Sequence, residues 1–342
     1  MQIKPLLMLD MDGVLVDVGD SYREVIRNSV ALYLREFIGA DITSAEFIKP
    51  NDVARIKQSG GLSNDWELTY VIIDAILKRY FDNKNLDLFD SFIKLREESN
   101  DVKLLKEGKN LLIRAHRSFL ESGIGKTPIA AIYYEEKEKK SSPFLMNRND
   151  IGSGNLVKRI FQELYLGEKL FRKNHSLEPI FHNARGYIER ERLIPSKGQL
   201  KKLSRLCALA IATGRPLAEA DHALERFTIK KFFCVLVTED DVERAQKRSD
   251  EVLRKPHPFM IKSCMERCGY KAGETTFYVG DMPDDIGAAL RAGAVPIGFV
   301  DENSGVTSDE IRDHRKLISD KGAVKVFGNF EELVDFIQDK YG

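Results

Sequence analysis

The sequence lacks the features of several protein classes. It has no net charge at pH 7, because 53 basic residues balance 53 acidic ones. This balance excludes the overall electrostatic footprint of a nucleic-acid-binding protein or of one that attaches to an acidic membrane surface. No apolar run approaches the roughly 18 residues of a membrane span. Asp10 interrupts the first apolar stretch, so no signal peptide is predicted. We therefore expect neither nucleic acid nor membrane as a partner.

Cysteine is also scarce, with four residues in the chain. Cys207 and Cys234 lie in apolar runs and are predicted to be small core residues. Cys264 and Cys268 lie four apart in a predicted helix, and no nearby histidine or further cysteine completes a zinc site. This usage indicates a reducing compartment and excludes a disulfide framework, so we predict a cytoplasmic protein.

The C-terminal part of the chain has the pattern of an α/β domain. Short apolar runs alternate with amphipathic segments, and this alternation is typical of a parallel sheet covered by helices on both faces. Asn329, followed by Glu332 and an apolar stripe, predicts the start of a last helix. The other runs predicted as strands or helices are 207–213, 232–238, 276–280, 294–300 and 323–327 for strands, and 216–227 and 258–268 for helices.

The first apolar run, 6–9, fits the same sheet, but the long segment after it does not. Apolar residues three and four apart predict helices over 21–38, 65–80 and 155–170. We therefore predict an α/β fold with a doubly wound, Rossmann-like parallel-sheet core. The core comprises 1–17 and 195–342, and a largely α-helical insertion occupies 18–194.

Polar side chains mark the ends of several predicted strands and the start of one helix. Ligands collect at the carboxyl ends of strands in open parallel sheets, so we expect these side chains to meet at one edge. They lie in four short motifs, namely Asp10 and Asp12 in "DMDGV", Thr213 and Gly214 in "ATGR", Lys255 in "RKPHP", and Asp281 and Asp285 in "GDMPDD".

A cluster of carboxylates needs compensation. Two like charges 4 Å apart repel by about 4 kcal/mol at an effective dielectric constant of 20. Such a cluster is tolerated only with a bound cation or with protonated members. Oxygen ligands without histidine or cysteine favour Mg2+, and a lysine with a hydroxyl beside them suits a phosphoryl group. The sequence therefore predicts a magnesium-dependent phosphate site.

In this order the four motifs resemble those of the haloacid dehalogenase-like (HAD) superfamily. The insertion resembles the type-I (C1) cap of that family, although it is longer than usual, and the nearest resemblance is to the phosphoglycolate phosphatase-like branch. The resemblance implies a phosphatase that hydrolyses a small phosphorylated metabolite through an aspartyl-phosphate intermediate. Asp10 is the implied nucleophile, and Asp12 is the implied general acid and base. An acid at Asp12 separates the chain from family members that cleave carbon–halogen bonds.

The same resemblance implies roles for the remaining motif residues. Thr213, Gly214 and Lys255 are implied to bind the phosphoryl group. Asp284 is interpreted as a residue of a helix start rather than as a ligand. The implied metal ligands are Asp10, Asp12 through its carbonyl, Asp281 and Asp285.

Several alternatives stay open. Lys57, Asp65 and Trp66 are predicted to contact substrate, and the alternative is a helix–helix turn in which Asp65 caps a helix and Trp66 packs. Arg215 is predicted to line the pocket, with a solvent-facing helix start as the alternative. A phosphomutase of the same superfamily is the first alternative function. A phosphoacceptor or binding protein without turnover is the second. The sequence does not reveal the oligomeric state.

Overall fold

A computed structural model of the chain describes residues 4–33, 48, 53, 65–66, 68–69, 72–73, 151, 156–305 and 307–342. The chain divides into two compact units. The first unit comprises Met1–Val18 and Arg192–Gly342, and the second comprises Gly19–Glu191. The interpretation of 18–194 as a cap stays a prediction, and its segment 100–150 lies outside the described residues.

The first unit is built on a parallel sheet. Its described strands are, in chain order, β1 (Leu6–Leu9), β2 (Val16–Asp17), β3 (Arg192–Leu193), β4 (Ala208–Ala212), β5 (Val235–Val237), β6 (Gly273–Gly280), β7 (Ala294–Phe299) and β8 (Lys325–Phe327). The main sheet has the order β5-β4-β1-β6-β7-β8 with parallel pairing throughout, while β2 and β3 form a short antiparallel ribbon. The chain runs outward through β4 and β5 on one side and through β6 to β8 on the other. The carboxyl ends of β1, β4 and β6 therefore form a topological switch point.

Helices connect these strands and form the described part of the second unit. They are α1 (Tyr22–Tyr33), α2 (Leu156–His175), α3 (Lys197–Leu206), α4 (Leu217–Arg226), α5 (Glu239–Gln246), α6 (Phe259–Cys268), α7 (Pro283–Ala292), α8 (Ser308–Asp320) and α9 (Phe330–Tyr341). Asn329 caps α9 as predicted, since its side chain accepts a hydrogen bond from the backbone N–H of Glu332 at 3.0 Å. Within the described ranges, no helix has both the length and the apolar composition that a bilayer crossing requires.

Both faces of the sheet are buried. Side chains alternate along β1, so that Leu7 and Leu9 pack in one apolar layer with α3 and α9. Leu6 and Met8 pack in the opposite layer with α6 and α7. All four are fully buried, as expected for a strand at the centre of a parallel sheet. The predicted doubly wound α/β fold is therefore confirmed.

The structure corrects the prediction around β5. The predicted strand 232–238 starts too early, because Lys230–Phe232 form a 3-10 turn and β5 begins only at Val235. In this turn the backbone N–H of Phe233 donates to the carbonyl of Lys230 at 3.2 Å, so the backbone bonds locally instead of joining the sheet. The prediction that Cys234 is a core residue is also wrong, since its side chain is exposed just before this strand.

In the second unit, the described parts of the predicted helices 21–38 and 155–170 form α1 and α2. Gly167 interrupts α2 with φ 68°, and a Cβ atom there would lie 2.1 Å from the backbone nitrogen of Gly186. Only glycine fits such a close backbone approach in this conformation. The rings of Tyr22 and Tyr165 stack with centroids 4.5 Å apart and join α1 to α2.

Candidate active site

β1 delivers Asp10 to the carboxyl edge of the sheet. The backbone N–H of Asp10 donates to the carbonyl of Val279 in β6 at 2.9 Å, so the strand pairing fixes its position. The residue is only 8% exposed. A carboxylate held by strand backbone has little freedom to turn away from its neighbours. A strand therefore positions this side chain more precisely than a loop would.

Three carboxylates meet at this edge. Oxygen atoms of Asp10, Asp281 and Asp285 all lie within 4.8 Å of one another. Asp281 follows β6, and Asp285 lies in the first turn of α7, where its Oδ2 accepts the backbone N–H of Met282 at 3.0 Å. The donor set consists of oxygen alone, which fits a hard divalent cation such as Mg2+.

Two glycines let the backbone approach these carboxylates closely. Gly13 has φ +72°, and a Cβ atom on it would lie 2.1 Å from Oδ2 of Asp281. A Cβ atom on Gly280 would lie 2.2 Å from the Cβ atom of Asp285. Glycine at both positions therefore removes a direct obstacle to the gathering of these side chains, and both belong to the motifs singled out in the sequence.

Lys255 neutralises part of this negative charge. Its Nζ lies 3.0 Å from Oδ1 of Asp10 and 2.9 Å from Oδ1 of Asp285. Burial alone lowers the pKa of the lysine, but these two carboxylates outweigh burial and hold its pKa above the ordinary value. The side chain is therefore a fixed positive charge, placed just before α6.

The surroundings of Asp10 favour its neutral form. Burial and the nearby Asp285 and Asp12 raise the pKa of Asp10, Lys255 lowers it, and the net result is a pKa of about 7. The lysine therefore does not fully compensate the charge around Asp10. A site that is short of positive charge attracts a cation.

Asp12 has a different partner from the other acids. Nε and Nη2 of Arg215 donate to its Oδ1 at 2.6 and 2.5 Å, and the arginine side chain is fully buried while that of Asp12 is 25% exposed. The guanidinium thus holds one carboxyl oxygen from inside the protein. The predicted contact of Arg215 with substrate stays a prediction, but the alternative of a solvent-facing side chain is wrong.

Thr213 and Gly214 follow β4, which pairs directly with β1. The buried Thr213 donates its backbone N–H to the carbonyl of Val237 at 3.0 Å. Its Oγ1 accepts the backbone N–H of Arg215 at 3.2 Å, which leaves its own O–H as a donor. Gly214 is exposed. Both residues thus lie at the strand edge where Asp10 lies.

Three residues of the predicted cap are also predicted to contact substrate. Lys57 lies outside the described residues, and Asp65 and Trp66 belong to the second unit. Asp65 is buried in a helical segment, where its carbonyl accepts the hydroxyl of Thr69 at 2.9 Å. Nζ of Lys158 lies 5.4 Å from the centre of the Trp66 ring. Their contact with substrate stays a prediction.

Sequence reasoning missed Tyr278. Its hydroxyl oxygen lies 3.0 Å from the carbonyl oxygen of Ala212 and 3.2 Å from Oδ1 of Asp285, and its one O–H can donate to either acceptor. Nζ of Lys255 lies 5.2 Å from its ring centre. It therefore links β4 to the carboxylate cluster. A tyrosine inside a buried apolar strand is itself a signal, because a buried hydroxyl requires a hydrogen-bond partner.

The chain is similar to known proteins in both sequence and structure. Residues 158–299, from within α2 to the end of β7, match the family model described as haloacid dehalogenase-like hydrolase. Over 99% of both chains, a crystal structure from a structural genomics consortium superposes with a TM-score of 0.64 at 20% identity, which supports the fold alone.

Two curated relatives are much longer than the parts that align. The imidazoleglycerol-phosphate dehydratase of Phytophthora nicotianae is 25% identical over 296 residues, which are 86% of this chain and 43% of that protein. The phosphoglycolate phosphatase of Escherichia coli K12 is 33% identical over 91 residues, which are 27% of this chain and 32% of that protein. The chain therefore spans less than half the length of either relative.

Proposed function

We propose that the chain is a member of the haloacid dehalogenase-like superfamily, whose family model matches residues 158–299, and that it is a Mg2+-dependent phosphatase acting on a small phosphorylated metabolite. The observation that carries the proposal is the position of Asp10. Its buried carboxylate lies 3.0 Å from Lys255 and within 4.8 Å of Asp281 and Asp285, at the topological switch point of the sheet. This is where α/β folds bind ligands.

In the proposed reaction Asp10 is the nucleophile. A carboxylate oxygen of Asp10 forms a bond to phosphorus while the bond from phosphorus to the ester oxygen breaks. Asp12 gives a proton to the departing oxygen, and then takes a proton from the water that hydrolyses the aspartyl-phosphate. Arg215 acts through Asp12, because it fixes the orientation of that carboxyl group.

The remaining residues bind the phosphoryl group. Lys255 carries a positive charge beside Asp10, while the Thr213 hydroxyl and the backbone N–H of Gly214 supply donors at the end of β4. Asp10, Asp281, Asp285 and the Asp12 carbonyl would hold Mg2+. When bound, the ion supplies positive charge that neutralises phosphate oxygens.

The names of the two relatives guide the choice of substrate panel. One name refers to phosphoglycolate and the other to imidazoleglycerol phosphate, and both are small organic phosphates. We place the activity in the cytoplasm, on the ground of cysteine usage alone. A panel of carboxylated, imidazole-bearing and sugar phosphates would identify the substrate class.

The test is release of inorganic phosphate from this panel, with Mg2+ or with EDTA. Asp10→Asn should lower the rate by about 10⁴-fold, because it removes the nucleophile. Asp309→Asn is the matched control, since Asp309 is an exposed acid of α8 paired with Arg312 at 2.8 Å. EDTA should abolish the reaction.

Other outcomes would contradict the proposal. Conversion of a hexose phosphate to its isomer without phosphate release would identify a phosphomutase. A phosphorylated protein that persists without turnover would identify a phosphoacceptor. Equal rates for the wild type and Asp10→Asn would remove Asp10 from the mechanism altogether.

A further inference from the structure

We infer that Cys234 and Cys268 are a modification site, at which a small-molecule disulfide converts the two thiols into a reversible intramolecular disulfide. Their Sγ atoms lie only 3.4 Å apart, although the residues are 34 positions apart in sequence. The two side chains thus already face each other in the folded protein. This site is separate from the proposed phosphatase chemistry and does not depend on it.

The local structure permits the bond. An S–S bond is about 2.0 Å long, so the two sulfur atoms need to approach by little more than an ångström. Cys234 lies in the short segment between the Lys230–Phe232 turn and β5, and Cys268 is the last residue of α6. A strand start and a helix end yield to such a shift more readily than the middle of either element.

The two thiols are also the accessible ones. Cys234 is exposed and Cys268 is partly exposed, whereas Cys207 and Cys264 are buried. Burial raises the pKa of Cys207 to about 12, and it also raises the pKa of Cys264. The buried pair is therefore expected to be inert toward oxidants.

Cys234 is the thiol that reacts first. Burial and the hydrogen bond with Cys234 together raise the pKa of Cys268 to about 12, so Cys268 is a slow nucleophile in isolation, and Cys234 is the more exposed of the two thiols. Once Cys234 has reacted, however, Cys268 faces the modified sulfur directly. Proximity then replaces a bimolecular encounter with an intramolecular one, which compensates for low thiolate content.

The exchange balances in two steps. With oxidised glutathione as the oxidant, the Cys234 thiolate attacks one sulfur, forms a mixed disulfide and releases one glutathione thiolate. The Cys268 thiolate then attacks the Cys234 sulfur and releases the second glutathione. The two cysteine protons end on the two glutathione thiols, and the protein disulfide carries the oxidation. An excess of reduced thiol reverses both steps.

The site lies away from the carboxylate cluster within the same unit. Cys234 precedes the amino end of β5, whereas Asp10 and Thr213 follow the carboxyl ends of β1 and β4 in the same parallel sheet. The bond would tie α6 to the edge strand β5 without occupying the proposed phosphate site. Its formation is therefore measurable on the intact protein whether or not the phosphatase proposal holds.

The experiment treats the full-length native protein with oxidised glutathione. Mass spectrometry should show a loss of about 2 Da, which corresponds to the two thiol hydrogens. Titration of thiols after denaturation should show two fewer than in the untreated protein. Peptide mapping without reductant should link the peptide of Cys234 to that of Cys268, and dithiothreitol should restore both thiols.

The controls are single serine variants at the other cysteines. Cys207→Ser and Cys264→Ser should form the same linked peptide, whereas Cys234→Ser and Cys268→Ser should not. A native protein that keeps all its thiols, that stops at a glutathione adduct on Cys234, or that links Cys264 or a second chain instead would overturn the inference. Circular dichroism of each variant before oxidation verifies that it is folded.

Discussion

Buried carboxylates occur in both units of the chain, but their surroundings differ. In the second unit Glu163 is fully buried, and its Oε2 accepts the backbone N–H groups of Ile180, Phe181 and His182 at 2.8, 2.5 and 3.2 Å. Its Oε1 accepts Nε of Arg159 at 2.8 Å. The carboxylate therefore ties the chain after α2 back onto that helix.

In the first unit the carboxylates are crowded instead. Asp10, Asp281 and Asp285 lie within 4.8 Å of one another, and Lys255 contacts two of them. Crowding and burial raise the folded-state cost of ionising Asp10, whereas Glu163 has donors matched to its oxygens. A carboxylate that stabilises the fold is surrounded by donors, and one that is kept despite its cost points to chemistry.

After that of Asp10→Asn, the largest effect is expected at Lys255. Lys255→Ala removes the positive charge beside Asp10 and a donor that we propose binds the phosphoryl group, so phosphate release should fall by about 10³-fold. The assay is the Mg2+-dependent release measured with the identified substrate. Lys262→Ala is the control, because Lys262 is an exposed lysine of α6. Unchanged release by Lys255→Ala would show that the positive charge beside Asp10 makes no contribution to catalysis.

The second prediction concerns stability. Glu163→Ala should destabilise the second unit by about 3 kcal/mol, because it leaves buried N–H donors and an arginine without their acceptor. Trp66, the single tryptophan of the chain, lies in this unit, so its fluorescence during urea unfolding reports on it.

The matched control for this variant is Glu178→Ala. Glu178 forms an exposed ion pair with Arg172 at 2.7 Å, and because water screens such a pair, its loss should leave the unfolding midpoint almost unchanged. Equal midpoints for the Glu163 and Glu178 variants would contradict a structural role for the buried carboxylate, and would break the contrast between the two units.

These two regions also differ in how far the sequence predicts them. Asp10, Lys255 and Asp285 were predictable because strand ends and helix starts are local features, and a parallel sheet brings its strand ends to one edge. The burial of β1 on both faces was also predictable, since its apolar run is continuous. The N-cap of α9 at Asn329 was predictable from a local sequence pattern as well.

What the sequence does not reveal depends on distant side chains. Arg215 and Asp12 are 203 positions apart, and no local pattern states that a buried guanidinium meets that carboxyl group. The four hydrogen bonds of Glu163 arise likewise from a loop that folds back on α2. Cys234 is exposed and follows a 3-10 turn, and its apolar sequence neighbours gave no sign of this turn.

A third prediction tests the cation that the crowded acids favour. Mg2+ at about ten times its dissociation constant should stabilise the wild type by roughly 1.4 kcal/mol, visible as a higher melting temperature in calorimetry. Asp281→Asn should weaken or remove this response, because it replaces a charged carboxylate of the proposed ligand set by a neutral amide. Asp284→Asn, at the neighbouring helix start, should keep it. A response that survives in Asp281→Asn would contradict the assigned ligand set.

The last effect concerns Asp10 itself in metal-free protein. Because the folded-state pKa of Asp10 is raised from its ordinary value to about 7, ionisation costs more in the folded than in the unfolded chain. The wild type therefore loses stability as the pH rises from about 4 to 7, and above that range the loss is complete. Asp10→Asn cannot ionise, so it should be more stable than the wild type at neutral pH and above.

This gain should fade as the pH falls toward about 3, where the wild-type carboxyl group is mostly neutral in both states. Melting temperatures in EDTA at acidic and alkaline pH measure the difference between the two proteins. Glu163→Gln should change the melting temperature in the opposite direction, since it replaces a carboxylate that accepts four hydrogen bonds. If Asp10→Asn instead lowers the melting temperature at alkaline pH, as Glu163→Gln does, then both buried acids stabilise the fold. The crowding of carboxylates at the sheet edge would then not destabilise the protein, and it would give no argument for a catalytic role.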